Sequence, residues 1–173
     1  MKEVFEALVK YKVNVDESLL GIVEKLGEDK LLARSDAYFP TVFDQLKHLF
    51  SSDINWIKRL RGAFPHSAAL AKCRFADYDQ EALKALSGKD RSRLFADMRE
   101  LDRDAAAFVA ELDEVALKST VTYTNYKGQS ETHELWKLLL QWFNHGSHHR
   151  GSISGQLDVL GVENDYSSLL ARI

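Results

Sequence analysis

The sequence predicts an all-α protein, a four-helix bundle with a long crossover between the second and third helices and a small β-hairpin before the fourth. Two observations predict this class. Apolar residues recur at helical spacing through four long stretches. The two prolines, Pro40 and Pro65, fall between those stretches, where the missing backbone N–H interrupts no helix. Amphipathic helices of this length bury their apolar faces by packing together as a bundle.

The first helix is predicted from about Val4 to Leu26 and the second from about Thr41 to Leu60. In both, apolar residues return every three or four positions and form one face, as in a helix that packs on a core. The face of the first helix comprises Phe5, Leu8, Val9, Tyr11, Val15, Leu19, Leu20, Val23 and Leu26. The main apolar arc of the second comprises Phe43, Leu46, Phe50, Ile54 and Ile57.

Residues 62–88 are predicted to form the long crossover. They contain Gly62, Pro65, Ser67 and Gly88, which favour irregular backbone that can include a short helical turn. The third helix is predicted over roughly Arg91 to Leu112, where apolar residues again recur at helical spacing. The crossover therefore separates two pairs of helices.

A small β-hairpin is predicted between the third and fourth helices. Residues 120–126 alternate β-branched and aromatic side chains and are followed by Lys127-Gly128, a pattern typical of a strand and a tight turn. The fourth helix is predicted to begin near Ser130 or Thr132 and to continue to about Leu160, before Gly161. This last helix contains most of the chemically distinctive residues.

Length and composition predict one domain over residues 1–173, because a chain with 45% hydrophobic residues can build one substantial core. The net charge of −3 and the scattered basic residues exclude a nucleic-acid footprint. Cys73 is the single cysteine, so no internal disulfide can form, which favours a cytoplasmic location. Residues 135–143 are the most apolar window and are too short to span a membrane, and the acidic N-terminal residues do not resemble a secretion signal.

Three of the six histidines occur within five positions of the fourth predicted helix. His145 and His149 are four residues apart, on one face of a helix, so that two imidazoles can bind the same ion. His149 falls within the apolar arc and His145 at its edge, whereas His148 points towards solvent. A single buried histidine is usually a hydrogen-bonded core residue, but two on one face favour metal binding.

The residues alone leave the third ligand open. His133 precedes His145 by twelve positions, about 18 Å along one helix, and so cannot reach the same ion from there. His66 lies beside Pro65 in the irregular crossover and is interpreted as a solvated loop histidine. His48 remains, but it shares a helix face with polar residues, which equally predicts a solvated position.

Three segments together resemble the DinB family of damage-inducible bacterial proteins. They are residues 43–60 around His48, the tyrosine-containing hairpin with Lys127-Gly128, and residues 143–151, which read Phe-Asn-His-Gly-Ser-His-His-Arg-Gly. The resemblance implies a four-helix bundle in which His48, His145 and His149 bind a metal ion, and it implies a homodimer. Family members often continue the last motif with glutamine, whereas this chain has Ser152, which implies a differently shaped pocket beside the ion.

A site of three neutral imidazoles leaves a position for water or substrate, as in catalytic zinc centres. Imidazole suits several divalent metals, and we expect zinc or nickel. The resemblance implies a thiol-dependent S-transferase or a hydrolase that acts on small molecules, such as a low-molecular-weight thiol, in a stress or damage response. The alternative is a non-catalytic protein in which the metal stabilises the bundle or the dimer.

Several other metalloprotein and hydrolase classes lack their signature residues here. No glutamate is followed by histidine three residues later, which excludes a ferritin-like di-iron bundle. A zincin metalloprotease needs a glutamate directly after the first histidine of its motif, and this chain has Gly146 after His145. Asp44, Tyr123 and Tyr126 are possible acid–base groups, although Asp44 is better interpreted as a surface residue or as one that orients a ligand imidazole. Arg150 is interpreted as structural, paired with an acid across the bundle.

Overall fold

A computed structural model describes all residues 1–173 and is mostly helical, with one two-stranded antiparallel sheet. The longest helix, near the C-terminus, contains two of the three predicted ligands. The elements in chain order are α1 (Lys2–Val23), α2 (Glu28–Leu31), α3 (Val42–Ala63), α4 (Ala68–Lys72), α5 (Gln80–Lys84), α6 (Arg91–Glu111), α7 (Glu114–Lys118), β1 (Thr120–Thr124), β2 (Ser130–Glu134) and α8 (Leu135–Val159).

The four long helices α1, α3, α6 and α8 pack on one another around a single hydrophobic core. Helix α1 contacts α6 and α8, and α3 contacts the same two helices. Forty buried hydrophobic residues form one contiguous cluster between them. The predicted mostly helical class is confirmed, while the four-helix-bundle topology stays a prediction. No helix combines the length and the apolar character that crossing a membrane requires.

The crossover between α3 and α6 contains more helix than the sequence predicted. Helices α4 and α5 lie within it, together with short 3₁₀ segments at Arg74–Asp77 and Gly88–Asp90. Phe75 is fully buried and its ring lies edge-on to Phe50 of α3, with centroids 5.6 Å apart. The crossover therefore supplies part of the core rather than a solvated loop.

The predicted hairpin is present, but the predicted start of the last helix is wrong. Residues 130–134 pair with β1 as a strand, with Val121 opposite His133 and Thr122 opposite Thr132. The two threonine hydroxyls lie 2.8 Å apart across the strands, so this segment is held by cross-strand contacts that a helix could not make. Gly128 supplies the turn with φ of 77°, a conformation that other residues rarely adopt. Helix α8 begins only at Leu135.

A buried cluster of charged residues connects the four long helices. The Lys12 ammonium contacts the carboxylates of Asp16 at 3.0 Å, of Asp53 at 2.9 Å, and of Asp102. Arg150 donates to Asp16 at 3.2 Å, which confirms its interpretation as a structural residue paired with an acid. All five side chains are at most 6% exposed. Each charge is compensated by a neighbour, as burial in a low-dielectric core requires.

Candidate metal centre

Two long helices bring three imidazoles together. His48 lies in the middle of α3, and His145 and His149 lie one turn apart on α8. The Nε2 atom of His149 is 3.1 Å from that of His48 and 3.0 Å from that of His145. Because α3 and α8 are direct neighbours in the core, the convergence follows from their packing.

This arrangement fits a divalent metal ion. Nitrogen ligands about 2.0–2.1 Å from a tetrahedral ion lie roughly 3.3–3.4 Å from one another, close to the separations between these Nε2 atoms. The three histidines form a group that could hold a metal ion, with the ligand atoms within 4.8 Å of one another. No carboxylate or thiol joins the group. The His48, His145 and His149 set is hereafter called the histidine centre.

The remaining nitrogens of the α8 histidines have partners that orient the rings. Nδ1 of His149 lies 2.8 Å from the side-chain amide of Gln45, whose other end lies 3.3 Å from the Ser152 hydroxyl. Nδ1 of His145 lies 3.2 Å from the Ser52 hydroxyl. Partners on Nδ1 leave Nε2 as the atom that faces the centre, as metal-binding histidines require.

Burial keeps the three imidazoles neutral. Loss of solvent contact, reinforced by the neighbouring His145 and His48, lowers the pKa of His149 to about 4. Burial is also the main cause that lowers the pKa of His48 and of His145. A neutral imidazole has the free electron pair that a metal ion needs, so the centre needs no deprotonation near pH 7.

His48 does not lie on a solvated face, although its helical phase indicated one. The side chain is half-buried, and the Phe39 ring stacks on it with centroids 4.4 Å apart. The polar face of α3 is covered because α8 and the hairpin pack beside it. The sequence pattern could not show this, since it records the phase of one helix and not its neighbours.

Asp44 does not orient a ligand imidazole; its side chain is 35% exposed, which favours the alternative of a residue near the surface. Its carboxylate accepts a hydrogen bond from the Thr41 hydroxyl at 2.8 Å and pairs with Lys47 at 3.3 Å, and both contacts lie at the N-terminus of α3. Gln45, the next residue in α3, orients the imidazole of His149 instead. Gln45 is 2% exposed in the structure, but it lies outside the apolar arc of α3 that the sequence predicted, so no sequence signal pointed to this role.

The other histidines lie outside the centre. His148 is exposed, as its phase predicted, and His66 is an exposed residue that follows α3. His133 lies on β2 rather than on a helix, and its Nε2 is 3.4 Å from the carboxylate of Glu131. Cys73 is buried, and burial raises the pKa of its thiol to about 12, so it is not a reactive nucleophile.

Two cavities meet at His48. The first, of about 610 Å³, lies between α3, α8 and the hairpin, and its lining includes both His48 and His145. Tyr123 and Tyr126 also line it, and the Tyr123 hydroxyl donates to Glu131 at 2.6 Å. The second, of about 510 Å³, lies on the other side of His48 against Phe39 and α5. The histidine centre is therefore accessible to small molecules from two directions.

The fold and the site define a helical protein with a three-histidine centre that could bind a metal, set between two solvent-accessible cavities. The chain belongs to the DinB family, whose model matches residues 1–170. This confirms the resemblance seen in the motifs around His48 and His149. No curated protein matches the chain.

Proposed function

We propose that this protein is a metal-dependent enzyme in which His48, His145 and His149 bind one divalent ion, zinc or nickel. The observation that carries the proposal is the convergence of three neutral imidazoles beside an open cavity. Three protein ligands with no fourth leave room for a reacting group, as in catalytic rather than structural zinc sites.

The bound ion supplies Lewis acidity, which lowers the pKa of a thiol or a water and polarises an electrophile. The protein contributes orientation. Gln45 and Ser52 fix the rings of His149 and His145 through their Nδ1 atoms. The Phe39 ring stacks on His48 with centroids 4.4 Å apart and restrains the orientation of that imidazole. These residues hold the ligands in one geometry before any substrate arrives.

The two cavities favour transfer between two small molecules over hydrolysis of one. A transferase must admit two reactants to one centre, and His48 borders both cavities. We propose that a low-molecular-weight thiol is one reactant and an electrophile the other. The thiol releases its proton to solvent, sulfur forms the new bond, and the leaving group departs with its electron pair. The homodimer and the role in a stress response remain part of this proposal and rest on the family, while the proposed cytoplasmic location rests on the single cysteine.

A non-catalytic role is the second candidate. The histidine centre joins α3 to α8, so a bound ion would crosslink two helices of the core and stabilise the fold. Under this alternative the ion raises the melting temperature, and the protein does not accelerate any reaction of a thiol with an electrophile.

The first experiment is elemental analysis of protein purified without an affinity tag or chelator, for the wild type, His149→Ala and His148→Ala. We expect about one zinc or nickel ion per chain in the wild type and in His148→Ala, and none in His149→Ala. His148 is the matched control because it is an adjacent but exposed histidine. A wild type that holds no metal and takes up neither zinc nor nickel would contradict the proposal.

The second experiment separates the enzyme from the structural alternative. Metal-loaded protein is mixed with a panel of low-molecular-weight thiols and an aromatic chloride, and consumption of free thiol is followed with time. We expect the wild type to accelerate the loss of thiol and His149→Ala to leave it at the uncatalysed rate. A stabilising metal without any rate acceleration would favour the non-catalytic role.

A further inference from the structure

One charged side chain of the first cavity has no polar partner. Glu131 accepts from Tyr123 and from Asn125, and Lys137 pairs with Glu134 at 2.9 Å. Arg59 also lines this cavity but makes neither an ion pair nor a hydrogen bond. Arg59 is half-buried, and the five N–H donors of its guanidinium have no protein partner, so they are available to a ligand or to solvent.

Aromatic rings hold Arg59 in place. The guanidinium carbon lies 4.8 Å from the centroid of the Trp56 ring and 4.8 Å from that of Tyr123. Cation–π contacts of this kind do not use up the N–H donors of the group. The side chain is therefore ordered before any ligand binds, so that little conformational entropy is lost when a ligand pairs with it.

Arg59 and the histidine centre lie at opposite ends of the same cavity. His48, Ser52, Asn55 and Arg59 all line it and follow one another at intervals of four, three and four residues, along one face of α3. Eleven residues of helix separate His48 from Arg59, which is roughly 16 Å along the axis. A ligand that reaches both ends must be elongated.

We propose that this cavity binds an elongated small molecule with a carboxylate at the end remote from the histidines, and that Arg59 binds that carboxylate. The inference rests on the proposed function, because the opposite end of the ligand is the group that reacts at the histidine centre. Glu131 in the same wall favours a monoanion over a phosphate dianion, since it would repel the additional negative charge. Arg59 is thus a specificity residue that does not contact the reacting atoms.

Isothermal titration calorimetry with ω-mercapto acids and the matching ω-mercapto alcohols tests this proposal. The probes are mercaptopropionate, mercaptohexanoate and mercaptoundecanoate, each against its alcohol, with zinc-loaded protein. We expect the longest acid to bind the wild type about tenfold more tightly than its alcohol, the gain of one charge-assisted hydrogen-bonded pair. The shortest acid cannot reach Arg59 and should show no preference over its alcohol.

Variants assign the preference to Arg59. Arg59→Gln should bind the longest acid and its alcohol equally, while its affinity for the alcohol stays at the wild-type value and shows that the cavity is folded. Arg61→Gln is the matched control, because Arg61 lies on the same helix but pairs with Asp77 outside the cavity. It should keep the tenfold preference. If Arg59→Gln does not fold, Arg59→Lys is tested instead. Lysine keeps the positive charge but lacks the forked N–H donors of a guanidinium, so its preference for the acid should be reduced.

The two proposals fail in different ways. Metal analysis of the same samples reports on the histidine centre, and a wild type without metal contradicts only the proposed function. The affinities of the longest acid and its alcohol are measured again on metal-free protein. There, Arg59 alone accounts for any difference between the two affinities. An unchanged acid preference in Arg59→Gln, or no preference in the wild type with or without metal, would overturn the assignment of Arg59.

Discussion

The side-chain amide of Gln45 lies 2.8 Å from Nδ1 of His149, which joins α3 to α8 directly behind the histidine centre. In the structure the amide nitrogen faces Nδ1. If Nε2 of His149 binds a metal, Nδ1 carries the proton and donates it, so the amide must turn over and present its oxygen. The amide nitrogen can then donate to the Ser152 hydroxyl, which lies 3.3 Å from the amide. Ser152 would then act on His149 through Gln45.

Substitution of Gln45 tests this chain of contacts. We expect Gln45→Leu to weaken metal binding by about 10–100-fold, because the His149 ring loses the partner that orients it. Gln45→Glu should keep or increase the affinity, since a carboxylate also accepts the Nδ1 proton and makes the imidazole a better donor. Competition with a chromophoric chelator measures both dissociation constants.

Gln141→Ala is the control for Gln45, because Gln141 is exposed and borders the first cavity without contacting an imidazole. Its metal affinity should equal that of the wild type. Equal affinity in Gln45→Leu as well would show that the amide does not orient His149.

The buried charge cluster predicts a particular dependence of stability on pH. Burial, with the nearby Asp16 and Asp53, raises the pKa of Asp102 from 3.8 to about 8, although Lys12 opposes the change. The folded state therefore holds a proton that the unfolded state has already lost above pH 4. Stability from this group falls as pH rises towards 8, by roughly 1 kcal/mol per pH unit.

This dependence is best measured between pH 6.5 and 8. Burial lowers the pKa of His149 from its ordinary value of 6.5, so below pH 6.5 this histidine makes stability rise with pH and opposes the effect of Asp102. The free energy of unfolding, measured with urea across this window, should fall in the wild type and stay level in Asp102→Asn. Asp36→Asn removes an exposed carboxylate and should retain the wild-type slope. Parallel slopes for the wild type and Asp102→Asn would mean that Asp102 is ionised throughout.

Two glycines of α8 should respond in opposite directions to replacement by alanine. A Cβ at Gly151 would meet nothing within 4 Å, so Gly151→Ala should stabilise the helix by about 1 kcal/mol. A Cβ at Gly146 would lie 3.0 Å from Nη1 of Arg150, whose guanidinium is held by Asp16. Gly146→Ala should therefore destabilise the protein by about 1 kcal/mol.

Urea denaturation of the two alanine variants measures this difference, and Arg150→Ala provides a background in which the crowding is absent. In that background Gly146→Ala should no longer destabilise. A destabilisation that persists without Arg150 would place its cause elsewhere in the helix.

The sequence predicted those features that depend on local geometry. His145 and His149 belong to one helix, so their spacing alone places both imidazoles on the same face. The contact between Gln45 and His149 spans 104 positions, and no local pattern records which helices become neighbours. For the same reason His48 was ambiguous by phase, and only the resemblance to a family indicated its role.

The errors in the predicted elements also have physical causes. The polar residues 130–134 are compatible with the start of a helix, but they form a strand because they pair with β1. Helices α4 and α5 have five residues each, which is too short for a helical period to be recognised. An interaction beyond the segment accounts for the first difference, and a weak local signal accounts for the second.

The cluster of Lys12, Asp16, Asp53, Asp102 and Arg150 bears on how the chain folds. Each of the four long helices contributes at least one ionisable side chain to it. A form with three helices docked and one detached would leave a buried charged group without one of its partners, at a cost of several kcal/mol. Partly assembled forms are therefore disfavoured, and we expect unfolding in denaturant to be a single cooperative transition in which all four helices separate together.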